Sequence, residues 1–214
     1  MYLFSRRVRL AGGKPKDAMA WATRLTQRVN EVSGLQVSLW SQTLSPAVGT
    51  VVWSAFAPDL PTLQGGLDKL MDDEAYYELV GHGPEFTIPG SLDDTLAVIV
   101  HGPQPDPDRR PQYVASVRTT IVAGGLAKGM ALGVEIAERA TQITGIPTAF
   151  LAAATGNYGG VSWLTAFADA AELERAQMAL NTDGSFVELI DSKAPGVYTD
   201  HPGATTQLLY RRVT

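Results

Sequence analysis

The chain has 214 residues, 17 of them basic and 22 acidic, for a formal charge of −5 at neutral pH, and 45% of its residues are apolar against 18% charged. That length can bury a substantial core as one large domain or two small ones, and the composition lies well away from that of disordered chains. An acidic balance without any Lys/Arg run excludes the basic field that nucleic acid or an anionic membrane surface requires, and zero cysteines remove disulfides, thiolate catalysis and thiolate-held metals.

The opening MYLFSRRVRL sets arginines inside its first apolar stretch, contrary to the order of a signal peptide, and no run of about 18 apolar residues follows anywhere. A cytoplasmic protein with neither membrane nor nucleic-acid partners is therefore expected. Residues 2–10 alternate, with Tyr2, Phe4, Val8 and Leu10 on one side and Ser5, Arg7 and Arg9 on the other, which predicts a half-buried strand. The period then changes. Ala18, Trp21, Ala22, Leu25, Val29 and Val32 recur at helical spacing, and Gly34 supplies a stop, so a helix is predicted over 14–33. Strands over 35–44 and 48–57 flank the turn-forming stretch Ser45–Gly49, as in a hairpin. Residues 60–80 read as one helix or two short ones, and Thr95–Val100 as a closing strand.

The same series then starts again. Ala11, Gly12 and Gly13 return as Ala123, Gly124 and Gly125; Val51, Trp53 and Phe56 as Val161, Trp163 and Phe167; Asp73, Glu78 and Leu79 as Asp183, Glu188 and Leu189, all at offsets of 110 to 112. The second half is predicted as strand 113–122, helix 126–143, strands 146–154 and 159–168, helical 169–191 and strand 205–213. Between the halves, residues 102–111 hold four prolines and no apolar side chain, as a stiff exposed linker would. The expected organisation is thus repeat 1 over 1–101, linker 102–111 and repeat 2 over 112–214.

The order β-α-β-β-α-β is that of the ferredoxin-like unit, an antiparallel sheet with both helices on one face. Its other face is bare and must be covered. Two copies in one chain predict an α+β fold in which the two sheets pack into one pseudo-twofold barrel. With the tryptophan-bearing third strand Val51–Phe56 and the second-helix run Leu70–Leu79, the chain resembles the dimeric α/β-barrel superfamily, in particular its NIPSNAP-like and stress-responsive barrel families, with the usual two chains fused. The resemblance implies either a small-molecule-binding barrel or an enzyme hosted by that superfamily. Such an enzyme would be a cofactor-independent oxygenase, or a cyclase or isomerase, acting on an aromatic or polyketide-like substrate. Some haem-binding relatives use a helix-borne histidine, which neither 14–33 nor 126–143 contains, so no cofactor is expected.

If Tyr2, Phe4, Val8 and Leu10 face the helices, Ser5, Arg7 and Arg9 point into the barrel, and Ser116, Arg118 and Thr120 are their counterparts. An unpaired guanidinium at Arg7 or Arg118 favours a carboxylate, phosphate or phenolate. The alternative is a rim position or pairing with a carboxylate such as Asp73 or Glu78. Trp40, Trp53, Trp163 and Tyr210 would line the cavity for a flat or greasy ligand, or else simply pack the core, as Trp21 does on its helix. Ligand-binding candidates are therefore Arg7, Arg118, Ser5, Ser116, Trp40, Trp53, Trp163 and Tyr210, for a small acidic or aromatic molecule. His82, between two glycines, and His101, at a strand end, are the candidate catalytic bases, while His201 reads as a loop residue. No HxH or HExxH spacing supports a metal, and neither GxGxxG, GxxxxGK[ST] nor GxSxG occurs. A third reading is a module whose exposed edges or helices pair chains into a homo-oligomer.

Overall fold

A computed structural model describes residues 1–104 and 109–214 of the chain, so the expected linker lies in part, at residues 105–108, outside the described residues. Two compact units are present, Met1–Leu96 with Arg211–Thr214, and Ala97–Tyr210.

In the first unit, β1 (Tyr2–Arg9) leads into α1 (Pro15–Ser33). Pro15 starts that helix where no backbone N–H is needed, and Gly34 ends it at φ 72°, a left-handed turn that glycine takes without a Cβ penalty. The hairpin is β2 (Ser38–Gln42) and β3 (Thr50–Ala57), both shorter than the periodicity predicts. The stretch 60–80 divides into α2 (Leu60–Met71) and α3 (Glu74–Gly81), each opened by an aspartate. Asp59 accepts the N–H of Thr62 and Asp73 that of Tyr76, which is why the chain breaks at Asp72 and Asp73. A single unforeseen turn, α4 (Gly83–Phe86), precedes β4 (Asp93–His101), which begins two residues before the predicted Thr95.

The second unit repeats the plan with β5 (Tyr113–Thr120), α5 (Leu126–Thr144), β6 (Thr148–Ala153), β7 (Gly160–Phe167), α6 (Ala170–Thr182), α7 (Gly184–Lys193) and β8 (Thr206–Arg212). Gly145 at φ 70° ends α5 as Gly34 ends α1, and Asp169 and Asp183 cap α6 and α7 as Asp59 and Asp73 cap α2 and α3. The strands hydrogen-bond in the order β1-β3-β2-β8-β5-β7-β6-β4, a closed barrel. This is the α+β architecture of two ferredoxin-like repeats that the sequence predicts. Among the described residues no helix is long and apolar enough to cross a membrane.

Each unit keeps its helices on one side of its strands. In the first, Val8, Leu39, Val51 and Trp53 pack with Trp21 and Ala22 of α1, and Phe4 and Ala55 with Leu63 and Leu67 of α2. In the second, Phe150, Val161 and Trp163 pack with Leu132, Ile136 and Ala137 of α5, and Ala115 and Phe167 with Leu173 and Ala176 of α6. Burial of each large side chain contributes roughly 1.5–3 kcal/mol before the entropy of ordering is subtracted.

Candidate functional site

The strand faces turned away from the helices carry the polar candidates. In the first unit Ser5 stands opposite Ser54, and both Arg7 and Trp40 opposite Val52, so these side chains share one face. Arg7 meets the carboxylate of Asp93, the first residue of β4, at 2.5 Å, with both side chains 46% exposed. The guanidinium therefore has its counter-charge from within the chain, and so exposed a pair contributes at most about 1 kcal/mol. Its neighbour Arg6 points to the opposite face and bonds Asp94 in bidentate fashion at 2.8 and 2.7 Å. Trp40 donates its indole N–H to Ser54 Oγ at 2.9 Å, and the Arg212 guanidinium lies over its ring at 4.5 Å while donating to Ser38 Oγ.

The corresponding face of the second unit is differently charged. Ser116 stands opposite Leu164, Arg118 opposite Ser162, and Ser162 opposite Leu151. Ser116 and Leu151 are fully buried and Arg118 partly so. Arg118 donates from Nε to Ser116 Oγ at 3.2 Å and from a terminal nitrogen to the phenol oxygen of Tyr210 at 3.3 Å. Both acceptors are neutral and both bonds are long. Among the described residues no carboxylate pairs with Arg118, and β8, whose Tyr210 it meets, contains no acidic residue in Thr206–Arg212.

Two of the tryptophans require a correction. Trp53 and Trp163 lie on the helix side. Trp53 donates to Thr26 Oγ1 of α1 at 2.8 Å and meets Trp21 edge-on, while Trp163 donates to the Gly133 carbonyl of α5 at 2.8 Å and meets Tyr198 edge-on. They anchor helices to the sheet and leave Trp40 and Tyr210 as the aromatic candidates on the opposite faces.

The histidines are also apart from these faces. His82 caps α3 on the helix layer, with Nδ1 2.6 Å from Glu85 and its side chain 64% exposed. At His101 the β4 register against β6 shifts, so that the residue stands opposite Phe150, whose ring faces α5. Its Nε2 consequently lies 3.9 Å from Glu138 of α5, on the side opposite Arg118. His201 is exposed in the segment before β8. Among the described residues no cluster of His, Asp or Glu could hold a metal ion.

Two groups that matter were not foreseen. Asp93 lies outside the strand predicted over Thr95–Val100, although Asp93–Asp94 and Arg6–Arg7, which pair as Arg6 with Asp94 and Arg7 with Asp93, form a readable charge pattern. Arg28 was also overlooked; it bonds Asp73 at 2.9 and 2.5 Å and holds that carboxyl below its ordinary range, first by hydrogen bonding. The equivalent Arg139 and Asp183 stand 3.9 Å apart.

No family model and no curated protein matches the sequence. Among solved structures, the chain is similar to a candidate monooxygenase from Fusobacterium nucleatum subsp. nucleatum ATCC 25586, at 8% identity and TM-score 0.73, covering 100% of this chain and 92% of that one. It is also similar to an anthrone oxidase-like protein, at 10% identity and TM-score 0.66 over 100% and 91% of the two chains. A third is a candidate monooxygenase from Lactobacillus acidophilus NCFM, at 8% identity and TM-score 0.62 over 100% and 94%. At such identities the likeness is one of fold, and it runs the whole length of the chain through both ferredoxin-like repeats.

Proposed function

We propose that the protein binds a small molecule bearing an acidic group and that Arg118, positioned by its bonds to Ser116 and Tyr210, receives that group. The observation that carries this reading is the charge on Arg118. Arg6, Arg7 and Arg28 each meet a carboxylate, whereas the partly buried Arg118 has two neutral acceptors at 3.2 and 3.3 Å. A guanidinium carries five N–H donors, and holding its charge away from water without a counter-ion is costly, so an incoming carboxylate or phenolate would gain shorter, charge-assisted bonds. Leu164, partly accessible on the same face, suits an apolar ligand body. In the first unit Arg7, Ser5 and Trp40 form the corresponding set around a charge that Asp93 already neutralises.

The fold also hosts proteins named as candidate monooxygenases, and an oxygenase acting on an acidic aromatic compound would use the same recognition. His101 and His82, the bases expected from the sequence, lie among the helices, which favours binding over the acid-base chemistry assigned to them. The test is native mass spectrometry of the purified full chain, followed by identification of any co-purifying molecule and titration of it into the apo-protein. An acid whose affinity falls on the order of ten- to a hundredfold in Arg118→Gln supports the proposal; an affinity unchanged by that substitution refutes it. Consumption of the bound acid under oxygen would move the reading from binding to catalysis.

A further inference from the structure

Arg7 and Arg118 hold equivalent places in two copies of one module, at the same point of β1 and β5 and each two residues beyond a serine, yet among the differences between their surroundings one sets the charge. β4 opens on Asp93 and delivers a carboxylate to Arg7 at 2.5 Å, whereas β8 opens on Thr206 and Arg118 is left with neutral oxygens. Asp93 thus occupies, in the first repeat, the position an acidic ligand would take in the second.

We propose that Asp93 is a built-in surrogate ligand, so that each chain takes a single planar monoanionic acid, a carboxylate or phenolate, at Arg118, and that removing the Asp93 charge opens a second site at Arg7. The inference rests on the reading of Arg118 as an anion site and extends it to stoichiometry and to the choice of repeat. Although an exposed Arg–Asp pair is weak in itself, the tethered carboxylate is present at an effective concentration of the order of millimolar or above. A free monocarboxylate must outcompete that concentration at Arg7 and meets no such competitor at Arg118. Arg7 also resembles Arg118 in having a same-face serine, Ser5, on which the guanidinium can settle once Asp93 releases it.

The experiment is calorimetric titration of the full-length protein with 2-naphthoate, with native mass spectrometry to count bound molecules and circular dichroism and melting curves to show that each variant is folded. The unaltered chain is expected to bind one molecule, Arg118→Gln none, and Asp93→Asn two, the second being lost again in Asp93→Asn with Arg7→Gln. The smaller change Asp93→Ser provides an independent opening of the same position and is expected to bind two as well. Two molecules on the unaltered chain, or one on both folded Asp93 variants, overturns the surrogate-ligand inference while leaving Arg118 as a site. No binding to the unaltered chain overturns the reading of Arg118, and the inference with it.

Discussion

Gly133 in α5 lies against Phe150, and the substitution Gly133→Ala measures how tightly the second repeat is packed. A Cβ built there would stand 2.1, 2.4 and 2.6 Å from Cζ, Cε2 and Cε1 of that ring, where carbon atoms prefer about 3.5–4 Å. Phe150 is fully buried and has no room to swing aside. Overpacking of this kind costs about 1–3 kcal/mol, and any outward shift of α5 also stretches the Trp163 bond to the Gly133 carbonyl, worth about 1 kcal/mol. Against this, alanine is favoured over glycine inside a helix by about 1 kcal/mol. The balance is a loss of about 2 kcal/mol, or a fall in Tm of about 4–8 °C for a chain of this size. The first repeat shows the compensation, since Ala22 and Leu39 occupy the equivalent positions and share one core cluster. Gly133→Ala combined with Phe150→Leu should therefore be more stable than the sum of the two single changes by about 1–3 kcal/mol. Scanning calorimetry and urea titration of the four proteins measure this coupling. As a control, Gly65→Ala in α2, with open space around its Cβ, should raise stability by about 0.5–1 kcal/mol. A Gly133→Ala protein that melts at or above the unaltered one, or strict additivity in the double variant, would refute the packing argument.

Asp73 gives a pH signature. Its carboxyl is held below its ordinary value near 3.8, mainly by the Arg28 hydrogen bond and further by the Tyr76 N–H. A depressed folded-state value means that the contribution is present at neutral pH and above about 4, and is lost as pH falls through the folded value. Urea midpoints should therefore separate the unaltered protein from Asp73→Asn clearly at pH 7, with the gap closing below pH 4; a gap independent of pH contradicts the assignment. In the second repeat, Tyr198→Phe removes a buried hydroxyl that donates to the Gly129 carbonyl at 2.8 Å and should cost about 1 kcal/mol, read as a lower urea midpoint at unchanged slope.

The legible part of the molecule was the part governed by local rules. Period, glycine stops and the recurrence of Trp53 at Trp163 mark both repeats and predict the element order, because alternation and helical spacing depend on which side of one segment is buried. Less was legible where two faces are buried at once. In β3 most side chains on both faces are inaccessible, so nothing in the run Val51–Phe56 says whether Trp53 or Val52 meets the helices. The face of His101 was hidden for another reason: one register shift against β6 turns it toward Glu138, and a shift in pairing leaves no trace in the strand's own residues.

The charges divide in the same way. The sequence alone determines that Arg7 and Arg118 hold matching places on equivalent strands, since a strand's alternation and the repeat spacing require nothing beyond the chain itself. Which of them is neutralised is decided by tertiary structure. Asp93 is far from Arg7 along the chain, and an ion pair exists only once β4 carries that carboxylate to 2.5 Å, whereas β8 brings Arg118 a phenol instead. Charge on a residue is a property of its side chain, but the need for a partner is a property of what the fold places beside it.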